Sequence, residues 1–141
     1  MTYNSNNGRA IIYLRKSTDR EDRQQISIET QRQHCEKLAN DNGFDTLIIE
    51  DHKSAKEEWK RPWFKNMLSF CKKWWYDYVI AYDPTRISRN TIDAAYFTEL
   101  INKNHIKGFY AAETRQLFNG TDIFSALMLG ISFIISKADN Q

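Results

Sequence analysis

The feature that most constrains this chain is a regular alternation of short apolar runs with helical patterns. Ala10-Ile11-Ile12-Tyr13-Leu14 is apolar and β-branched without a polar break, the signature of a strand buried on both faces. Ser27 to Asn42 reads as a helix in which Ile28, Cys35, Leu38 and Ala39 form a partial apolar stripe. Gly43 stops it, because glycine accepts the left-handed conformation in which helices commonly end. A second strand is expected over Asp45 to Glu50, and a second helix opens at Arg61-Pro62, since proline suits the first helical turn. Its apolar set is Trp63, Phe64, Met67, Leu68, Cys71, Trp74 and Trp75, so the tryptophans are expected to pack in the core.

The alternation continues with a strand over Tyr78 to Tyr82, ended by Asp83-Pro84, and a helix over Asn90 to Asn104 facing inward through Ile92, Ala95, Tyr96, Leu100 and Ile101. A fourth strand spans Lys107 to Ala111, and Phe124 to Ser136 forms a helix too apolar around its circumference to be covered on one side only. That helix is expected to mediate self-association. The order βαβαβαβα predicts an α/β fold, a mostly parallel central sheet flanked by helices in three layers.

The length of 141 residues suits a single domain, here residues 1–141. Hydrophobic residues at 41% and charged residues at 27% exclude a disordered chain. No apolar run is long enough to span a bilayer, and the polar start lacks the apolar stretch of a signal peptide, so a cytoplasmic location is expected. Cys35 and Cys71 have no metal-ligand spacing and are expected to be reduced packing residues. The net charge of +2 says little, but its distribution says more. Seven bases and two acids lie between Lys53 and Lys73, next to a segment from Leu38 to His52 with four acids and no Lys or Arg, which points to a basic face.

Open α/β sheets bind ligands beyond the carboxyl ends of their strands. Arg15 and Ser17 follow the first strand, Arg61 follows the second, and Asp83, Arg86 and Arg89 follow the third, so residues far apart in sequence converge at one sheet edge. None of the five glycines forms a phosphate-cradling loop, so a phosphate here must be held by side chains. Arginine suits that task, with a planar fork for two phosphate oxygens and a charge that persists at any working pH. Arginines around a serine hydroxyl fit phosphoryl transfer, whose transition state gathers charge on non-bridging oxygens. His34, His52 and His105 are scattered and form no evident triad or metal site. Two other readings fit the same residues: a non-catalytic module that binds a phosphorylated ligand, and a dimerisation module without activity.

Four ordered motifs carry a family resemblance. Tyr13-Leu14-Arg15-Lys16-Ser17 with Ser27-Ile28-Glu29-Thr30-Gln31, Arg61-Pro62 with Met67-Leu68, Arg86-Ile87-Ser88-Arg89-Asn90, and Leu127 to Asp139 together resemble the catalytic domain of serine recombinases of the resolvase/invertase family. The segment between Ser17 and Ser27 and the Arg61-Pro62 pair resemble the large recombinases more than the small resolvases. The resemblance implies that Ser17 attacks a DNA phosphodiester and forms a 5′-phosphoserine link, with Arg15, Arg86 and Arg89 gripping the phosphate and Arg61 assisting. It implies supporting roles for Tyr13 and Gln31, no cofactor, duplex DNA as partner, a dimer that pairs into a tetramer, and a separate C-terminal DNA-binding region. Where the family usually has Asp before the first Arg of the second motif, this chain has Thr85, with Asp83 two residues earlier. Asp83 is therefore expected either to orient Arg86 or to cap the Asp-Pro turn.

Overall fold

The computed structural model describes residues 7–16, 26–51, 62–87, 91–120 and 122–128. Its elements follow in the order β1 (Arg9–Arg15), α1 (Ile28–Asn42), β2 (Asp45–Asp51), α2 (Pro62–Lys73), β3 (Tyr78–Ala81), a 3-10 turn (Pro84–Arg86), α3 (Thr91–Asn102), β4 (Gly108–Ala111) and β5 (Gln116–Phe118). Residues 122–128 form a further helix, α4. The sheet order is β2-β1-β3-β4-β5. The first four strands pair in parallel and β5 runs antiparallel to β4. This is the expected α/β architecture with a mostly parallel sheet between helices. The antiparallel edge strand is an addition: three residues are too few for a period-two pattern to announce them.

Strand β1 lies inside the sheet between β2 and β3, and its side chains divide between two cores as the pleat requires. Ile11 and Tyr13 join Val79 and Phe109 beneath α2, α3 and α4, which contribute Met67, Cys71, Ala94, Phe97, Leu100, Ile123 and Leu127. Ala10, Ile12 and Leu14 join Ile80 on the other face, covered by Cys35, Leu38 and Ala39 of α1. Both cysteines are free and buried, as expected.

Helix α1 has the predicted ends. The Ser27 hydroxyl accepts from the Thr30 amide at 3.1 Å, and Gly43 closes the helix at φ 73°.

Two expectations about packing are overturned. Trp74 and Trp75 are not core residues: α2 ends at Lys73, and the two side chains are 58% and 83% exposed. The Trp74 amide donates to the Phe70 carbonyl at 2.8 Å and Trp75 turns left-handed at φ 57°, so the chain leaves the helix before either indole can face the sheet. Helix α3 is rotated from its expected orientation. Ala94, Phe97, Leu100 and Ile101 are buried, whereas Ile92 and Tyr96 are 64% and 58% exposed and Ala95 is also exposed. The helix carries two apolar stripes. The one that contains Phe97 wins because its ring meets Phe109 edge-on, at 5.9 Å between centroids.

The last helix begins at residue 122, before the expected Phe124, and buries Ile123 and Leu127. Its expected continuation from 129 to 136 lies outside the described residues.

Candidate active site

The carboxyl ends of β1, β2 and β3 meet as the sheet topology dictates. Parallel register places Arg15 opposite Asp51 at the ends of β1 and β2. Next to β1, β3 leads through Tyr82 and Asp83 into the 3-10 turn that carries Arg86. Arg15, Gln31, Asp51 and Arg86 are all buried. Burying polar groups costs free energy unless they are hydrogen-bonded, so the partners they do have define the site.

Arg15 is held at both backbone and side chain. The Gln31 amide group clamps its backbone: Oε1 accepts from the Arg15 amide at 3.3 Å, and Nε2 donates to the Arg15 carbonyl at 2.9 Å. Nε2 also donates to the Ile26 carbonyl at 3.0 Å, which ties the entry of α1 to the end of β1. The guanidinium reaches sideways across the sheet end. Its Nε donates to the Arg86 carbonyl at 3.1 Å and its Nη2 to the Thr85 carbonyl. One arginine thus fastens the turn that presents the other.

Asp83 anchors that turn from its first residue. Its Oδ1 accepts from the Thr85 amide at 2.9 Å and from the Thr85 hydroxyl at 2.5 Å. Of the two roles expected for Asp83, the hydrogen bonds of its carboxylate to the Thr85 amide and hydroxyl correspond to the cap. Asp83 acts on Arg86 through the backbone, whose amide donates to the Asp83 carbonyl at 3.1 Å.

A further carboxylate belongs to this cluster. The Tyr13 hydroxyl donates to Asp51 Oδ2 at 2.5 Å, a buried bond between two strands. Asp51 lies one residue past the strand expected from the sequence, over Asp45 to Glu50, and no role was expected for it. The usable signal is its position as the last residue of β2 in register with Arg15.

Tyr13, Arg15, Gln31, Asp83 and Arg86 therefore gather around one sheet edge. Ser17, Arg61 and Arg89 lie outside the described residues; Ser17 follows Arg15 by two positions and Arg89 follows Arg86 by three. Among the described residues, no group of three His, Cys, Asp or Glu side chains is placed to hold a metal ion, and no helix is long and apolar enough to cross a membrane.

A mostly parallel sheet thus buries two arginines, Arg15 and Arg86, at or beyond the carboxyl ends of its strands. The chain matches the family described as Resolvase, N terminal domain, over residues 10–140. It belongs to that family, the catalytic domain of serine recombinases of the resolvase/invertase type. The fold is similar to the N-terminal catalytic domain of TP901-1 integrase, with a TM-score of 0.62 and 20% identity over 94% of this chain and 98% of that one. It is also similar to a resolvase family site-specific recombinase from Streptococcus pneumoniae (TM-score 0.57, 18% identity, 94% and 86% covered). A third similar structure is the C-terminal catalytic domain of ISC1926 TnpA, an IS607-like serine recombinase (TM-score 0.58, 16% identity, 94% and 99% covered). No curated protein matches the sequence.

Proposed function

We propose that the chain is the catalytic domain of a site-specific DNA recombinase of the large serine recombinase type that cuts and rejoins DNA through Ser17. The Ser17 Oγ attacks a phosphodiester phosphorus and forms a P–Oγ ester. The bond to the 3′ oxygen breaks, the serine gives up its proton and the departing oxygen gains one. Rejoining reverses each change on a new 3′ hydroxyl. The energy of the broken bond is kept in the ester, so the reaction needs no cofactor.

Arg15, Arg86 and Arg89 hold the non-bridging phosphate oxygens, and Arg61 adds to them. Their charge stabilises the transition state and favours loss of the serine proton. Gln31 and the Tyr13–Asp51 pair are positioning groups: the first aligns the backbone two residues before Ser17, and the second fixes the ends of β1 and β2. Asp83 sets the turn from which Arg86 emerges. The working partner is duplex DNA, engaged by a dimer that pairs into a tetramer, with a separate C-terminal region that binds the DNA site.

The observation that carries this reading is the bond from the Arg15 guanidinium to the Arg86 carbonyl, which makes two arginines from distant segments a single buried unit, one of them two positions before Ser17 in the sequence. The test is a Ser17→Ala exchange in the complete protein. Cleavage of its DNA site is expected to vanish while DNA affinity changes little, because affinity comes mainly from contacts other than the nucleophile.

A further inference from the structure

At the opposite end of the sheet, a cavity of about 260 Å³ opens where the carboxyl ends of α2 and α3 meet the segments entering β3 and β4. Lys72, Trp75, Tyr76, Asp77, His105 and Lys107 line it. Strand β3 separates it from the Arg86 turn by four residues, roughly 13 Å of extended chain, so it lies apart from the arginine site.

Three helix ends show what is unusual here. Helix α1 ends at Gly43 (φ 73°), and α3 is followed by Asn104 (φ 62°), the residue types that take left-handed backbone with least strain. Helix α2 is followed by Trp75 at φ 57°, a bulky side chain in a conformation that suits glycine. The strained backbone holds the indole 83% exposed at the cavity, where it gains nothing from core packing. Strain kept at an exposed aromatic residue points to binding.

The charges indicate what is bound. Lys72 makes no ion pair among the described residues, and Lys73 beside it is exposed. Asp77 is already engaged, accepting from the Arg9 amide at 2.9 Å and facing Lys107 Nζ at 3.8 Å. Arg9 also lies over the Tyr76 ring, 4.4 Å from its centroid. The rim is therefore cationic around an aromatic surface. The volume suits one large side chain rather than a stretch of duplex, whose bases stay stacked and cannot enter.

We infer that this cavity docks an acidic peptide segment of a partner protein, with one aromatic anchor inserted against Trp75 and flanking carboxylates on Lys72 and Lys107. The inference goes beyond the recombinase reading and does not depend on it.

The test uses a fluorescein-labelled octapeptide with one phenylalanine among aspartates and glutamates, titrated against the protein by fluorescence anisotropy. Trp75→Gly is the informative variant, because glycine relieves the left-handed strain and the thermal midpoint should hold or rise. Its affinity for the peptide is expected to fall about tenfold. The exposed pair Lys72→Gln with Lys107→Gln is expected to lower affinity to a similar degree and to weaken its salt dependence. The inference is overturned by absence of peptide binding, or by equal affinity in wild type and Trp75→Gly. Equal affinity for a peptide with serine in place of phenylalanine also overturns it, as does tighter binding of octathymidylate, which would make the cavity a single-strand site.

Discussion

The Arg15 side chain donates its Nε hydrogen to the backbone carbonyl of Arg86, 71 positions later, at 3.1 Å. Lysine cannot reproduce this bond together with the one to Thr85, because it lacks the planar fork. Arg15→Lys should therefore lower stability by about 2 kcal/mol and Arg15→Ala by about 3 kcal/mol, as expected when a buried, hydrogen-bonded charge is removed. Urea denaturation checks both values. Cleavage by the complete protein should fall further than stability does, since Arg86 is released from its position.

The Tyr13–Asp51 pair predicts an asymmetry. Tyr13→Phe strips this donor from a buried carboxylate and should cost about 3 kcal/mol, whereas Asp51→Asn keeps an acceptor for the hydroxyl and should cost about 1 kcal/mol. A double-mutant cycle should give a coupling above about 0.5 kcal/mol, as for residues in direct contact.

Asp83 caps the turn, and its variants should separate charge from capping. Asn caps as well as Asp, so Asp83→Asn should change stability by only a few tenths of a kcal/mol and keep most of the cleavage activity. Asp83→Ala should lose about 1 kcal/mol and impair cleavage through the displaced Arg86. Thermal melts and a cleavage assay of the complete protein measure the two effects.

Much of this architecture was legible in the chain. The uninterrupted run from Ala10 to Leu14 announces a doubly buried central strand, and Ser27 and Gly43 mark both ends of α1, because these are local signals. The arginine convergence follows from topology alone once the strands are parallel. What was not legible depends on competition between distant surfaces. Either face of α3 is apolar enough to be buried, and the choice rests on the long-range packing of Ala94, Phe97, Leu100 and Ile101, with Phe97 edge-on to Phe109. Trp74 and Trp75 continue the helical period of α2, but the backbone departs from it before they can pack. Asp51 gains its place from the Tyr13 hydroxyl on another strand, a pairing no local pattern contains.

Burial pushes the Cys71 thiol up to about 12. Cys35 is also pushed up to about 12, first by burial and then by the charges of Glu36 and Asp83. Below the ordinary thiol value both states carry neutral thiols and stability is unaffected. As pH rises from there towards 12, the unfolded chain loses protons that the folded chain keeps, so stability falls by about 1.4 kcal/mol per pH unit for each thiol. Chemical denaturation across this alkaline range should show the decline, and replacing both cysteines with alanine should flatten it. At pH 8 the folded thiols should react slowly with a disulfide reagent and rapidly after unfolding.

The central claim is that the arginine centre serves a serine nucleophile two residues beyond Arg15. The most direct measurement is mass spectrometry of the complete protein after reaction with its DNA site and proteolysis. A nucleotide joined through its 5′ phosphate to the peptide that contains Ser17, and absent from the Ser17→Ala protein, is the predicted result. An adduct on any other residue, or DNA cleavage retained by Ser17→Ala, would contradict it.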